Sequence, residues 1–199
     1  MAAPRRTNPD RVIDAALALA ADRPWRRVSL SDIAGEAGIR LDQLHALFRS
    51  KAAILDAFTA RIDAQVMRGT DEEAAAEPVR DRLFDVLARR FEALRPHRAA
   101  LASIVREGLT VPREGYCGTR RLLRSMTWSL ETAGVAGSGP FGELRVRGLA
   151  ALFMSSLLVF LRDDSPDLAK TMAHLDRNLT RADRLMGRLT PRRAGTATP

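Results

Sequence analysis

The sequence predicts an all-α protein: an N-terminal module of three short helices with a helix-turn-helix pattern, followed by a helical body of about six helices. Three observations predict it. Ala, Leu and Arg dominate while β-branched residues are sparse, and these are strong helix formers. Apolar residues recur at three- and four-residue spacing in successive segments. The breaks between segments fall at Pro, at Gly, or just before a Ser able to cap a helix. A chain of 199 residues is long enough to bury a real core.

Residues 1–9 are polar and contain Pro, and read as a mobile arm. Val12, Ile13, Ala16, Leu17 and Ala20 share one face of a first helix. Arg23 precedes Pro24 and so disfavours the helical region, which ends it. Ser29 is an N-cap for a second short helix, and Asp32 lies three residues on, a weaker form of the capping box. Gly38 supplies a turn that a Cβ would strain. A third helix runs from about Leu41 to Phe48 with Leu44 and Phe48 inward, and Ser50 caps a fourth carrying Ile54, Phe58, Ile62 and Val66.

Gly69–Glu77 is acidic and Ala-rich, a hinge or loop, and Pro78 suits the first turn of a fifth helix. Pro96 is expected to start a sixth, Pro112 to break it, and a seventh to span about 117–133. The Gly-rich stretch 133–140 is a loop. An eighth helix, about 142–162, is apolar almost all round, which means burial. A ninth is expected to open with Ser165 as N-cap and Pro166 at its first position. Its Leu168, Met172, Leu175, Leu179, Ala182 and Met186 alternate in fours and threes, the seam of a helix packed lengthwise on another. The division expected is an arm (1–9), a helix-turn-helix domain (10–51), a ligand-binding and dimerisation body (52–187) and a disordered basic tail (188–199).

The net charge of +8 is uneven. Residues 1–51 carry an excess of three positive charges, and residues 184–199 hold four arginines and no acid. Basic ends suit a polyanion such as DNA or an acidic membrane surface. Cys117 is the only cysteine, which excludes an intrachain disulfide framework and a Cys-based zinc site. The start lacks the apolar run of a signal peptide, and the longest uncharged stretch, Gly148–Leu161, is too short to span a bilayer. These features lead to the expectation of a cytoplasmic protein with no membrane span and no cofactor. No nucleophile–base pair or metal spacing stands out: His45, His97 and His174 are far apart, and Asp163, Asp164 and Asp167 read as loop solvation plus helix capping. The expectation is therefore no enzyme. Arg120 lies near Cys117, but no second Cys completes a redox switch.

The run VSLSDIAGEAGI at 28–39 resembles the second helix and turn of the TetR family, and Leu44, Phe48, Ser50, Lys51 and Ile54 resemble its recognition helix and the cap that follows. VIDAA at 12–16 extends the likeness into the first helix. The resemblance implies a homodimer that binds a palindromic operator in double-stranded DNA and leaves it when a small apolar effector enters the body. It also implies dimerisation through the last two long helices, about 142–162 and 165–187.

Carried over residue by residue, Ser29, Ser31 and Lys51 match phosphate-facing positions. Gln43 suits a base edge, because an amide can pair with adenine. Leu41, His45, Arg40 and Arg49 lie on or beside the recognition helix, and Arg5 and Arg6 are placed to reach a minor groove. Arg40 stands where the family has a Ser or Thr cap, Asp42 where it has a small residue, and His45 and Leu47 where it has an aromatic pair. Phe58, Phe84, Leu87, Phe91, Ile104, Met126, Trp128 and Phe153, with Trp25, are candidates for a ligand pocket, although aromatic residues at this spacing also build plain core. The departures keep a second function open. It is a lipid- or isoprenoid-binding accessory protein of the ubiquinone-biosynthesis type, with a TetR-like fold and no role on DNA.

Overall fold

The computed structural model describes residues 8–69, 76–139 and 141–189, with side chains to residue 185. Arg5 and Arg6 of the expected arm, most of the acidic stretch after Gly69, and the basic tail from residue 190 lie outside the described residues. The described residues form nine α-helices and no strand: α1 Asn8–Asp22, α2 Leu30–Glu36, α3 Leu41–Leu47, α4 Lys51–Arg68, α5 Val79–Leu94, α6 Arg98–Thr110, α7 Pro112–Thr132, α8 Gly142–Phe160 and α9 Ala169–Leu189. Short 3-10 turns at Trp25–Arg27 and Arg95–His97 lead into α2 and α6.

Several boundaries follow from the residues anticipated. Ser29 Oγ accepts from the Asp32 backbone N–H at 3.1 Å, and Asp32 Oδ2 accepts from the Ser29 N–H at 2.9 Å, so the full capping box forms. The Ser29 backbone and hydroxyl hydrogen bonds hold the Asp32 carboxyl below the usual carboxylate range, and Arg23 adds to this. Ser50 Oγ accepts from the Ala53 N–H at 3.1 Å and starts α4. Gly38 adopts φ +64°, and a Cβ there would sit 2.9 Å from Arg11 Nη2, which donates to the Ala37 carbonyl at 2.5 Å.

Three boundaries differ from expectation. Asn8 and Pro9, assigned to the arm, already belong to α1. Pro112 does break α6, but it does so as the first residue of α7, where its missing N–H costs nothing, so α7 begins five residues before the expected start. α9 starts at Ala169, and Ser165 and Pro166 precede it in a turn. The cause is Asp163, which is completely buried. It accepts from the Ser165 N–H at 3.1 Å and hydroxyl, and from the Thr171 N–H at 2.8 Å and hydroxyl at 2.6 Å. The carboxylate thus takes the capping role expected of Ser165 and ties it up. Leu168 completes the corner, buried and in the left-handed region at φ 55°.

The helices bury one continuous core running from Val12 in α1 to Leu179 in α9. α1 lies along α6, α6 along α7, and α8 along α9, while α4 packs on both α5 and α7. Phe91 is the centre of the body: it stacks on Phe153 at 5.1 Å and leans on Phe160 at 5.3 Å. Beside it Arg90 is buried against Asp63, donating also to Ser125 Oγ at 2.7 Å and Ser129 Oγ at 3.2 Å, with Ser125 Oγ donating to Asp63 at 2.7 Å. This polar knot joins α4, α5 and α7. No described helix is long and apolar enough to cross a membrane.

Asp163 sets the acid response of the α8–α9 corner. Burial alone pushes its carboxyl up, but the Ser165 and Thr171 hydrogen bonds outweigh this and hold it well below the ordinary 3.8. A depressed folded-state pKa contributes stability above the unfolded value that is lost as pH falls below it. Urea titrations should therefore show Asp163→Asn less stable at neutral pH by about 1–3 kcal/mol. Between about pH 4 and pH 2 the variant should lose less further stability than the parent.

Candidate nucleic-acid interface and ligand cavity

α3 is held by two inward residues alone. Leu44 and Phe48 are buried under it, whereas Leu41, Asp42, Gln43, His45, Ala46, Leu47 and Arg49 are exposed. Ser29 and Ser31 are exposed at the start of α2, and Arg26 and Arg27 on the turn before it. One short helix thus presents nearly its whole outer surface, next to a second helix N-terminus. That is the geometry in which a helix enters a major groove.

The electrostatics of this face are more self-contained than the sequence suggested. Arg40 pairs with Asp42 through two hydrogen bonds, Nε to Oδ1 at 2.9 Å and Nη2 to Oδ2 at 2.7 Å. The carboxylate expected to repel phosphate is therefore neutralised by its neighbour. Arg40 has no acceptor to cap α3, so only the return half of a capping box forms: Gln43 Oε1 accepts from the Arg40 backbone N–H at 2.9 Å. Gln43 is exposed and its Oε1 keeps a second lone pair, so an adenine gripped by both amide atoms would share that oxygen with the cap.

Lys51 differs most from its sequence expectation. It is half-buried, and its Nζ donates to the carbonyls of Trp25 at 2.7 Å and Val28 at 3.0 Å. The same ammonium lies 4.3 Å from the centre of the Trp25 indole ring. Burial pushes its pKa down, and Glu107 and Glu114 partly restore it. Two of its three donors are thus committed to the turn between α1 and α2. The clamp extends into the body, because the Trp25 backbone N–H donates to Ser103 Oγ of α6 at 2.9 Å. Where α1 meets the body, burial pushes the His97 imidazole down and Arg61 adds to the effect. His97 sits edge-on to Phe58 at 5.1 Å, and Arg61 bonds Asp14 of α1 at 2.9 Å.

Behind Trp25 the body forms a cavity of about 250 Å³, partly open to solvent, between α4, α5, α6, α7 and α8. Leu55, Phe58, Ile104, Leu122, Phe153 and Leu157 give it apolar walls, and Arg90, Glu114 and Arg121 are its charged lining residues. Arg121 Nε bonds Asp56 at 2.7 Å. A Cβ on Gly115 would press to 2.7 Å from the Gly108 carbonyl, so the bare α-carbon lets α6 and α7 meet at the cavity edge.

Of the expected pocket residues, Trp25, Phe58, Ile104 and Phe153 line this cavity. Leu87, Phe91 and Met126 are fully buried core, Phe84 packs half-buried against that core, and Trp128 is 51% exposed on α7. Arg90 and the glycines 108, 115 and 118 also line it, and no signal in the sequence set them apart as pocket residues. Among the described residues, no three His, Cys, Asp or Glu side chains gather in a way that could hold a metal.

Residues 12–58, spanning α1 to the first half of α4, match the family model "Bacterial regulatory proteins, tetR family". The N-terminal helices thus carry the sequence pattern of the TetR family. The whole fold is TetR-like. It is similar to the crystal structure of a TetR transcriptional regulator from Nitrosomonas europaea, at 23% identity over 90% of this chain and 99% of that one, with a TM-score of 0.72. A TetR transcriptional regulator from Rhodococcus sp. RHA1 is similar at 22% identity over 92% and 97% of the two chains, TM-score 0.64. A TetR-family regulator from Streptomyces coelicolor is similar at 21% identity over 92% and 83%, TM-score 0.61. Residues 147–186, which are most of α8 and α9, match the COQ9 family model. No curated protein sequence matches the chain.

Lys51→Met keeps the aliphatic stem over Trp25 and removes both hydrogen bonds. It should cost about 1–3 kcal/mol in a urea titration, because it removes two charge-assisted hydrogen bonds from the carbonyls of Trp25 and Val28. It should also red-shift the Trp25 fluorescence as the turn loosens. An unchanged unfolding midpoint would show that the clamp carries no strain of the fold.

Proposed function

We propose that the protein is a transcriptional repressor: a homodimer that places two copies of α3 in successive major grooves of a palindromic operator and releases it when a small apolar effector enters the body. The observation that carries this is the outer surface of α3, exposed along its length and free of unpaired negative charge. Ser29, Ser31 and Arg49 are the phosphate-facing candidates, with the third Lys51 donor beside them. Leu41, Gln43 and His45 are the candidates for contact with base edges.

A dimer is supported by α8. Leu144, Gly148, Ala151 and Leu158 recur on one side of that helix and are all exposed, Leu144 at 64% and Leu158 at 44%. Such an apolar stripe suits a self-complementary contact about a two-fold axis. On the adjoining side of the helix pair, Ser155, His174 and Asn178 form a hydrogen-bonded cluster that ties α8 to α9. Two half-sites on DNA would then lie about 34–36 Å apart, one turn of the duplex.

A second reading is favoured by the COQ9 match: the same fold would hold an isoprenoid lipid and leave DNA alone. The cavity, about 250 Å³ and open on one side, would hold the end of such a chain and leave the rest outside. Lipid extracted from the purified protein, together with no mobility shift of its own promoter DNA at low salt, would establish the second reading.

Arg49→Ala should weaken binding to promoter DNA for all sequences alike and flatten the slope of log affinity against log salt by about one. An unchanged slope removes Arg49 from the interface. Leu158→Glu should convert the dimer to monomer in analytical ultracentrifugation and abolish the mobility shift at concentrations where the parent protein binds. A variant that stays dimeric places the interface elsewhere.

A further inference from the structure

One side of α7 faces solvent along the length of the helix. Arg113, Tyr116, Arg120, Arg124 and Trp128 follow one another at spacings of three and four residues, so they share that side. All five are exposed, Tyr116 at 65% and Trp128 at 51%. At the corner where α6 meets α7, Leu109 is 72% exposed and Val111 is exposed beside it. Large apolar side chains grouped in water mark a contact surface.

The charges say what kind of contact it is. Arg113 and Arg120 form no ion pair with any described residue, and Arg120 lies 6.0 Å from the centre of the Tyr116 ring. Arg124 shares Asp56 with Arg121. Glu131, an acid in register with them, stands at the far end and accepts from the Gly137 N–H at 2.8 Å. The face is therefore basic, with amphipathic rings set between and beyond the arginines. Such a face suits the boundary between lipid headgroups and acyl chains, where cations meet phosphates and the rings lie just below them. Duplex DNA would answer the arginines but leave Leu109, Val111 and both rings in water. No described helix can cross a bilayer, so the attachment is peripheral.

We propose that the outer face of α7, with the α6–α7 corner, docks on an anionic lipid surface. The cavity gives this docking a consequence. Leu109 and Thr119 both line the cavity and are exposed, so its open side lies at the edge of the docking face. A docked molecule can then draw an apolar ligand from the lipid with little passage through water. That last step rests on the effector-binding reading of the cavity, whereas the docking itself does not.

The test is flotation of the full chain with vesicles of phosphatidylglycerol and phosphatidylcholine in equal parts, against vesicles of phosphatidylcholine alone. The parent should float with the first and not with the second. Arg113→Gln combined with Arg120→Gln should lower the affinity for anionic vesicles about thirtyfold. Arg177→Gln combined with Arg181→Gln removes the same charge from exposed positions on α9 and should lower it less than about threefold. Trp128 emission, taken as parent minus Trp128→Phe, should shift to the blue on binding and be quenched by lipid brominated on its acyl chains.

A parent that binds neither vesicle, or both alike, overturns the proposal. So does an equal loss in the two arginine pairs, or a bound parent whose Trp128 emission stays in place. The vesicle and Trp128 readings of the parent decide the matter even if an arginine variant misfolds. Promoter binding is measured on the same proteins. An α7 pair that weakens promoter binding as much as vesicle binding assigns the face to DNA and sinks the docking. A parent that docks through α7 but binds no promoter sinks the regulator and leaves the docking standing, and promoter binding without docking does the reverse.

Discussion

A single ammonium group ties the two functional parts of this molecule together. Lys51 begins α4, the first helix of the body, and reaches back to the carbonyls of Trp25 and Val28 in the turn before α2. The Trp25 carbonyl also accepts from the Val28 N–H at 3.1 Å, so Lys51 adds a charged donor to a turn that is already closed by this backbone bond. The charge itself is stabilised by the indole face beneath it. Trp25 in turn is anchored to α6 through Ser103, so the turn is pinned from both the α4 and the α6 sides. This cluster works beside the long seam where α1 lies along α6, and the two together place α3 relative to the cavity.

The body is organised around a different constraint. Arg90 and Asp63 are both buried, and such a pair contributes little net stability compared with an apolar substitute, while losing one partner is expensive. Its value is positional. The two serines of α7 complete the hydrogen bonding, which fixes the register of α4, α5 and α7 in a way that interchangeable apolar contacts would not. The cavity lies against this knot, so its shape is held by directional bonds on one side and by aromatic stacking on the other.

Local signals read from the sequence proved reliable where one residue acts on its own backbone. Ser29, Ser50 and Gly38 did what a cap or a left-handed turn demands, because those effects extend over three residues and need no tertiary partner. The failures share the opposite property. Ser165 and Pro166 form a credible helix start, but Asp163 enters the core and takes the Ser165 hydroxyl, which no short-range rule anticipates. That Lys51 also grips the carbonyls of Trp25 and Val28 is equally beyond a short-range rule. Trp128 fits the apolar spacing of α7 yet lies on its outer side, while Arg90, a charged residue, lies inside. Periodicity identifies a face, but only the packing of other helices decides whether that face is covered.

The fork between Arg40 and Asp42 bears on how a duplex would be read. The fork takes up Nε and one Nη2 proton, so the outer edge of the guanidinium, with Nη1, still has donors to offer. The pair is exposed and costs little to open. What it supplies is aim: a flat cation held at a fixed tilt beside the helix, where an untethered side chain would sweep through many directions.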